Sequence, residues 1–105
     1  MNEQEMADLK AKYGKITTVT IPLDEDDETK VLTYHLRKPD MMSRKMIAKL
    51  SSLDNFQKAV IAGYNALRVA GDEVTELEKN DDALLSAQEA LITVLEVQKA
   101  TIKKN

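Results

Sequence analysis

A chain of 105 residues with 43% hydrophobic and 31% charged residues has the balance of one globular domain rather than a disordered segment. The absence of cysteine excludes disulfide frames, thiolate metal sites and cysteine catalysis. A net charge of −3 and a pI near 5.2 exclude a nucleic-acid partner that needs a broad basic face.

In chain order, Met6, Leu9 and Tyr13 recur at i, i+3 and i+7 and predict a helix over 3–13, with Gly14 as its stop. This N-terminal stretch is too polar for a signal peptide, and no apolar run approaches membrane-spanning length, so no membrane partner is expected. Two alternating segments follow, 15–23 and 30–38. The first sets Val19, Ile21 and Leu23 on one face, and the second sets Leu32, Tyr34 and Leu36 on one face. Their short connection makes an antiparallel hairpin. Pro22 has no amide proton for a ladder and so marks the first strand as an edge.

Pro39 ends the second strand, and Asp40 can cap a helix over 41–50. Asp54 and Gln57 form a capping-box pattern for a helix over 55–70. Its apolar face is Phe56, Ala59, Val60, Gly63, Tyr64, Leu67 and Ala70, with Gly71 as the stop. Gly63 inside so strong a helix costs about 1 kcal/mol against Ala, which points to a close approach by another element. Val74 and Leu77 can pin the acidic connection that follows. Asp81 or Asp82 then caps a last helix over 82–103, whose end carries Lys99, Lys103 and Lys104 as complements to the helix dipole. Leu84, Leu91, Leu95 and Ile102 form the centre of its apolar stripe, with Leu85 and Ile92 on one flank and Ala87 and Val94 on the other. That width exceeds a single core-facing stripe, so the helix either packs against two elements or keeps one edge for a partner. The expected fold is α+β: one antiparallel β-hairpin packed by about four helices, in a single helix-dominated domain covering 1–105.

Chemistry is harder to find. The acidic run Asp24 to Glu28 fails as a calcium loop, because Thr29 and His35 stand where glycine and glutamate belong. A solvated turn is the simpler reading. His35, the single histidine, falls on the polar strand face with Thr33 and Arg37, and is expected to be exposed or half-covered, with no second histidine to share a metal. The serines lack a nucleophile motif, and the three glycines form no phosphate loop. No enzyme activity, cofactor or metal is expected. Met41, Met42 and Met46 suit gap-filling between helix and sheet, or a surface for apolar partners.

One resemblance runs through most of the chain. KYGK (Lys12 to Lys15), LRKPD (Leu36 to Asp40), Asn65 with Gly71-Asp72-Glu73, and DDALL (Asp81 to Leu85) occur in an order that resembles the small tail-assembly-chaperone-like proteins of tailed phages and prophages. Where that family is expected to carry N-x-W-x-G-G-D, this chain has Asn65-Ala66-Leu67-Arg68-Val69-Ala70-Gly71-Asp72, without the tryptophan and one glycine. The resemblance implies a non-enzymatic protein in the bacterial host cytoplasm that binds the long helical tape-measure protein and keeps it soluble before the tail tube forms. Helix-in-groove packing would use the surplus apolar width, with Met42, Met46, Leu85, Ile92 and Val94 as the partner-binding residues. Two other readings stand beside it. A structural virion protein, in the tail or connector, would join a neighbour through the hairpin edge at Thr18 and Thr20. A small acidic inhibitor of a host nucleic-acid enzyme would need carboxylates spread along one face. A homo-oligomer is a further expectation of the edge strand and the wide final stripe.

Overall fold

Alternation and capping build most of this fold. The computed structural model describes the backbone of residues 1–52 and 55–96, and the side chains of 1–49 and 55–96. Helix α1 (Glu3–Tyr13) starts where the Asn2 side chain accepts a bond from the Glu5 amide at 2.8 Å. It stops at Gly14, whose φ of 81° suits glycine. Strands β1 (Ile16–Pro22) and β2 (Val31–Arg37) pair antiparallel with Val19 opposite Tyr34. Val19, Ile21, Leu32, Tyr34 and Leu36 are buried on one face, as the alternation predicts. Leu23 is the exception: it lies beyond the strand end and is exposed.

The hairpin is part of a larger sheet. Residues 68–70, expected to be helical, leave helix α3 (Phe56–Leu67) and form strand β3 (Arg68–Gly71), giving the antiparallel order β1-β2-β3. A helix continuing to residue 70 would leave the second edge of β2 unpaired. The strand instead uses it, and is pinned by side-chain bonds. The Asp72 carboxylate accepts from the Thr33 amide at 2.7 Å, and the Asp72 amide donates to the Thr33 carbonyl at 2.8 Å. The Arg68 guanidinium donates to the carbonyls of Gly71 and Asp72, both at 2.7 Å. Gly71 therefore ends a strand rather than a helix, at a φ of 109°.

Helix α2 (Met41–Ser52) follows β2, and Asp40 caps it as expected, accepting from the Ser43 amide at 2.7 Å. That bond holds the Asp40 carboxyl below the usual carboxylate range. Asn55 caps α3, accepting from the Lys58 amide. The partner of Gln57 in the expected capping box, Asp54, lies outside the described residues. A 3₁₀ turn (Val74–Lys79) buries Val74 and Leu77, which do pin the acidic connection. Helix α4 (Asp81–Leu95) is capped by Asn80, not by Asp81 or Asp82, with the Asn80 side chain accepting from the Ala83 amide at 3.0 Å. The two aspartates sit in the first turn instead, where they complement the dipole. The helix stops at Leu95, and Glu96 is extended. The expected continuation over 97–103, with Ile102 and the terminal lysines, lies outside the described residues.

The layers meet at two tyrosines. Tyr34 of β2 and Tyr64 of α3 are fully buried and stack edge to face, with ring centroids 5.1 Å apart at 67°. The Tyr34 hydroxyl donates to the Glu73 carbonyl and the Tyr64 hydroxyl to the Ala87 carbonyl, both at 2.9 Å. Sheet, α3, 3₁₀ turn and α4 are thereby tied at one point. Gly63 lies one residue away, and a Cβ there would meet Leu91 of α4 at 2.7 Å and Ile47 of α2 at 3.3 Å. The glycine is the crossing point of three helices, which accounts for its cost to α3.

Two predictions follow from this packing. Gly63→Ala crowds the ends of apolar side chains and partly recovers helix propensity, so it lowers unfolding free energy by about 1 kcal/mol. Gly71→Ala sets a Cβ 2.3 Å from the Thr33 carbonyl oxygen at positive φ, and backbone cannot yield as a side chain can. It costs about 3 kcal/mol. Urea denaturation of both variants ranks them, and equal costs would refute the assignment. The second prediction concerns alkali. Burial, reinforced by Asp72 and Glu76, pushes the Tyr34 hydroxyl from 10.0 up to about 12, and burial raises Tyr64 too. The folded state holds these protons longer than the unfolded chain, so their contribution is complete below about pH 10 and is lost as pH rises through about 12. Urea midpoints fall across that window, and Tyr34→Phe flattens the fall.

Candidate functional site

The last helix divides its surface into three strips. Ala83, Leu84, Ala87 and Leu91 are buried against the core. Leu85 and Ile92, seven residues apart and so nearly in line on the helix, are 50% and 57% exposed. Val94 is about 160° around the helix from Ile92. It is half-buried, packs against the core, and lines a cleft with Thr17 and Pro39. Of the two flanks of the α4 stripe, only the one with Leu85 and Ile92 is open. Val94 does not share a surface with them.

The open flank continues onto α3. Phe56 is 43% exposed, although it belongs to the apolar face predicted for that helix. It sits in the first turn of α3, and with Ile47, Val60, Leu91, Ile92 and Leu95 it lines a small apolar groove of about 120 Å³. Sequence periodicity placed Phe56 in the core because it counts faces, not the ends of helices that overhang their neighbours. Its exposure makes it a member of the candidate site that the sequence reading missed.

Helix α2 presents the methionines. Its core side is Ser43 and Ile47, while Met41, Met42 and Met46 are 67%, 81% and 37% exposed. Met41 and Met42 therefore do not fill a gap between helix and sheet. Met42 and Met46 are four residues apart, one turn along one side of α2. Arg44, about 160° around the helix from Met42, donates through its guanidinium to the Leu95 carbonyl and ties α2 to the end of α4. Exposed apolar side chains thus occur on all three helices, among them every expected partner-binding residue except Val94.

The polar candidates have structural roles. The Asp24 carboxylate accepts from the Asp26 amide at 2.9 Å and Asp27 from the Thr29 amide at 3.0 Å, so these side chains shape the turn. The Thr29 bonds hold the Asp27 carboxyl below its usual range. His35 is buried, contrary to expectation, because both neighbouring strands flank it and the N-terminal segment lies over the same face. Its Nδ1 is 2.9 Å from the Thr18 hydroxyl, Ala70 flanks it on β3, and Met1 and Glu5 of the N-terminal segment border the same hollow. Thr18 and Thr20 are exposed on the edge strand. Among the described residues no three His, Asp or Glu side chains converge as a metal site would require, and no helix is long and apolar enough to cross a membrane.

If Phe56, Leu85 and Ile92 belong to a binding surface and not to the core, polar replacement leaves the fold intact. Leu85→Ser, Ile92→Ser and Phe56→Ser each change unfolding free energy by less than about 1 kcal/mol, whereas Leu84→Ser or Leu91→Ser costs roughly 3 kcal/mol or more. Chemical denaturation of the five variants measures this contrast directly. Comparison with protein families, with curated proteins and with solved structures found no match to this chain.

Proposed function

We propose that this protein is a non-enzymatic tail-assembly chaperone of a tailed phage or prophage, which binds the tape-measure protein and keeps it soluble until the tail tube forms around it. One observation carries the physical side of this reading: large apolar side chains stand exposed on a folded, charged domain, at Leu85 and Ile92 along α4 and at Phe56 of α3 beside Ile92. Soluble monomers rarely leave such residues grouped without a partner. Helical spacing on α4 and a shallow groove between helices suit the apolar face of another helix. Met42 and Met46 add flexible thioethers, which accommodate the varied side chains along a long client. The order of KYGK, LRKPD, GDE and DDALL along the chain supplies the link to phage tails.

On this reading the protein acts in the cytoplasm of the bacterial host and is displaced before the virion is complete. Leu85→Ser with Ile92→Ser lowers the tape-measure protein recovered with tagged chaperone by about tenfold or more, while the far-UV circular dichroism spectrum stays that of the wild type. Undiminished recovery would remove this surface from the function. Mass spectrometry of purified particles provides the second check. The protein is absent from mature virions, and a fixed copy number there would instead mark a structural component.

A further inference from the structure

We propose that two copies of this chain pair antiparallel through β1, joining their sheets into one continuous six-stranded sheet. Strand β1 is an edge of the sheet. The direction of its backbone groups follows from two bonds. The Leu23 amide donates to Lys30 across the hairpin at 2.9 Å, and Thr33 exchanges its bonds with Asp72 on the other side of β2. Antiparallel ladders alternate, so Thr17, Val19 and Ile21 bond to β2, while Ile16, Thr18, Thr20 and Pro22 turn their backbone groups outward. No other described segment meets those outward groups. Helix α1 makes no hydrogen bond to them; its Leu9 and Lys12 border Ala70 of β3. Helix α4 lies on the opposite, buried face, where Val94 borders Thr17.

Charge selects the occupant and its direction. From Ile16 to Pro22 the strand has no charged residue, but its two ends are opposite in sign. At the open end Lys15 follows Lys12, and Lys38 lies across from Lys15 in the continuing register, a like-charge pairing that favours an incoming anion. At the closed end are Asp24 to Glu28, where Lys30 faces only Asp24, at 3.9 Å. Lys15, Lys38, Glu25, Asp26 and Glu28 form no ion pair among the described residues. A second copy running antiparallel brings its acidic tip to the basic end of the first, twice over by symmetry. With the two-fold axis at Val19, Thr18 pairs with Thr20 of the second copy, and Lys15 comes beside its Asp24. About six backbone hydrogen bonds form, because Pro22 still accepts though it cannot donate. Parallel pairing would instead stack the two acidic tips.

Sedimentation equilibrium of the purified chain across the micromolar range tests this. A concentration-dependent dimer is expected. Thr20→Pro removes an outward amide that makes no bond within the chain, so it yields a monomer with an unchanged circular dichroism spectrum. Lys15→Gln raises the dissociation constant roughly tenfold, as two exposed ion pairs of about 0.7 kcal/mol each are lost. Leu85→Ser with Ile92→Ser leaves the dimer intact, which separates this interface from the client surface. A wild-type chain that stays monomeric overturns the proposal. So does a dimer that survives Thr20→Pro or dissolves with the α4 substitutions. If Thr20→Pro fails to fold, amide exchange on the wild type decides: slow exchange at Thr18 and Thr20 that tracks dimer concentration supports the pairing, and fast exchange refutes it.

Discussion

The edge-to-face contact between Tyr34 and Tyr64 is the constraint on which the rest of the molecule depends. Each ring is a large apolar body, and each hydroxyl must find a partner once it is buried. Tyr34 finds one in the carbonyl of Glu73 and Tyr64 in that of Ala87. These acceptors lie on different elements, so one aromatic pair fixes the relative positions of the sheet, α3, the 3₁₀ turn and α4. The acidic connection cannot be a free linker in such an arrangement, because Glu73 must stay where Tyr34 reaches it. Val74 and Leu77 then follow into the core beside it.

With α3 fixed on the sheet, Gly63 determines how α2 and α4 approach it. Ile47 from one side and Leu91 from the other fill the space a side chain would take. This closeness gives the three helices one shared core strip each and leaves the overhanging parts outside it. Phe56 is in the first turn of α3, and Leu85 and Ile92 are rotated just past the contact on α4. Their exposure is thus a consequence of close packing elsewhere, and not of a loosely built core. A rigid platform with apolar side chains on its rim can offer a surface to a partner at little conformational cost.

The fold was largely legible where a residue's environment is decided by its neighbours in sequence. Alternation located β1 and β2 within a residue or two at their ends, Gly14 and Asp40 bounded helices, and Val74 with Leu77 pinned the acidic connection. Strand β3 was hidden because Ala70 falls on the same helical face as Leu67 and Gly63, so periodicity continues smoothly through the break. What ends α3 is non-local: the vacant side of β2 and the Asp72 to Thr33 bonds. The burial of His35 was hidden for the same reason, since it depends on β3 and on the N-terminal segment, both remote from it in sequence. In the candidate site, Leu85 and Ile92 were legible as surplus width on a helix. Phe56 and Val94 were not, because which flank of a stripe stays open depends on the neighbouring helices.

The two surfaces differ in the physics that would fill them. The rim formed by α3 and α4 is mainly apolar, with Gln88 as its polar member, and would suit a partner whose sequence varies along its length. The edge of β1 is the reverse: uncharged along its strand, rich in backbone donors and acceptors, and bounded by opposite charges. Such an edge is selective for direction and register, since a one-residue slip would turn the bonded groups away. The buried faces of the sheet and of α4 lie between these surfaces, so occupation of one need not obstruct the other. A two-fold pair built on β1 would then carry two apolar rims on one rigid sheet. A long helical client could engage both in succession, and its second contact would gain from the high effective concentration set by the first.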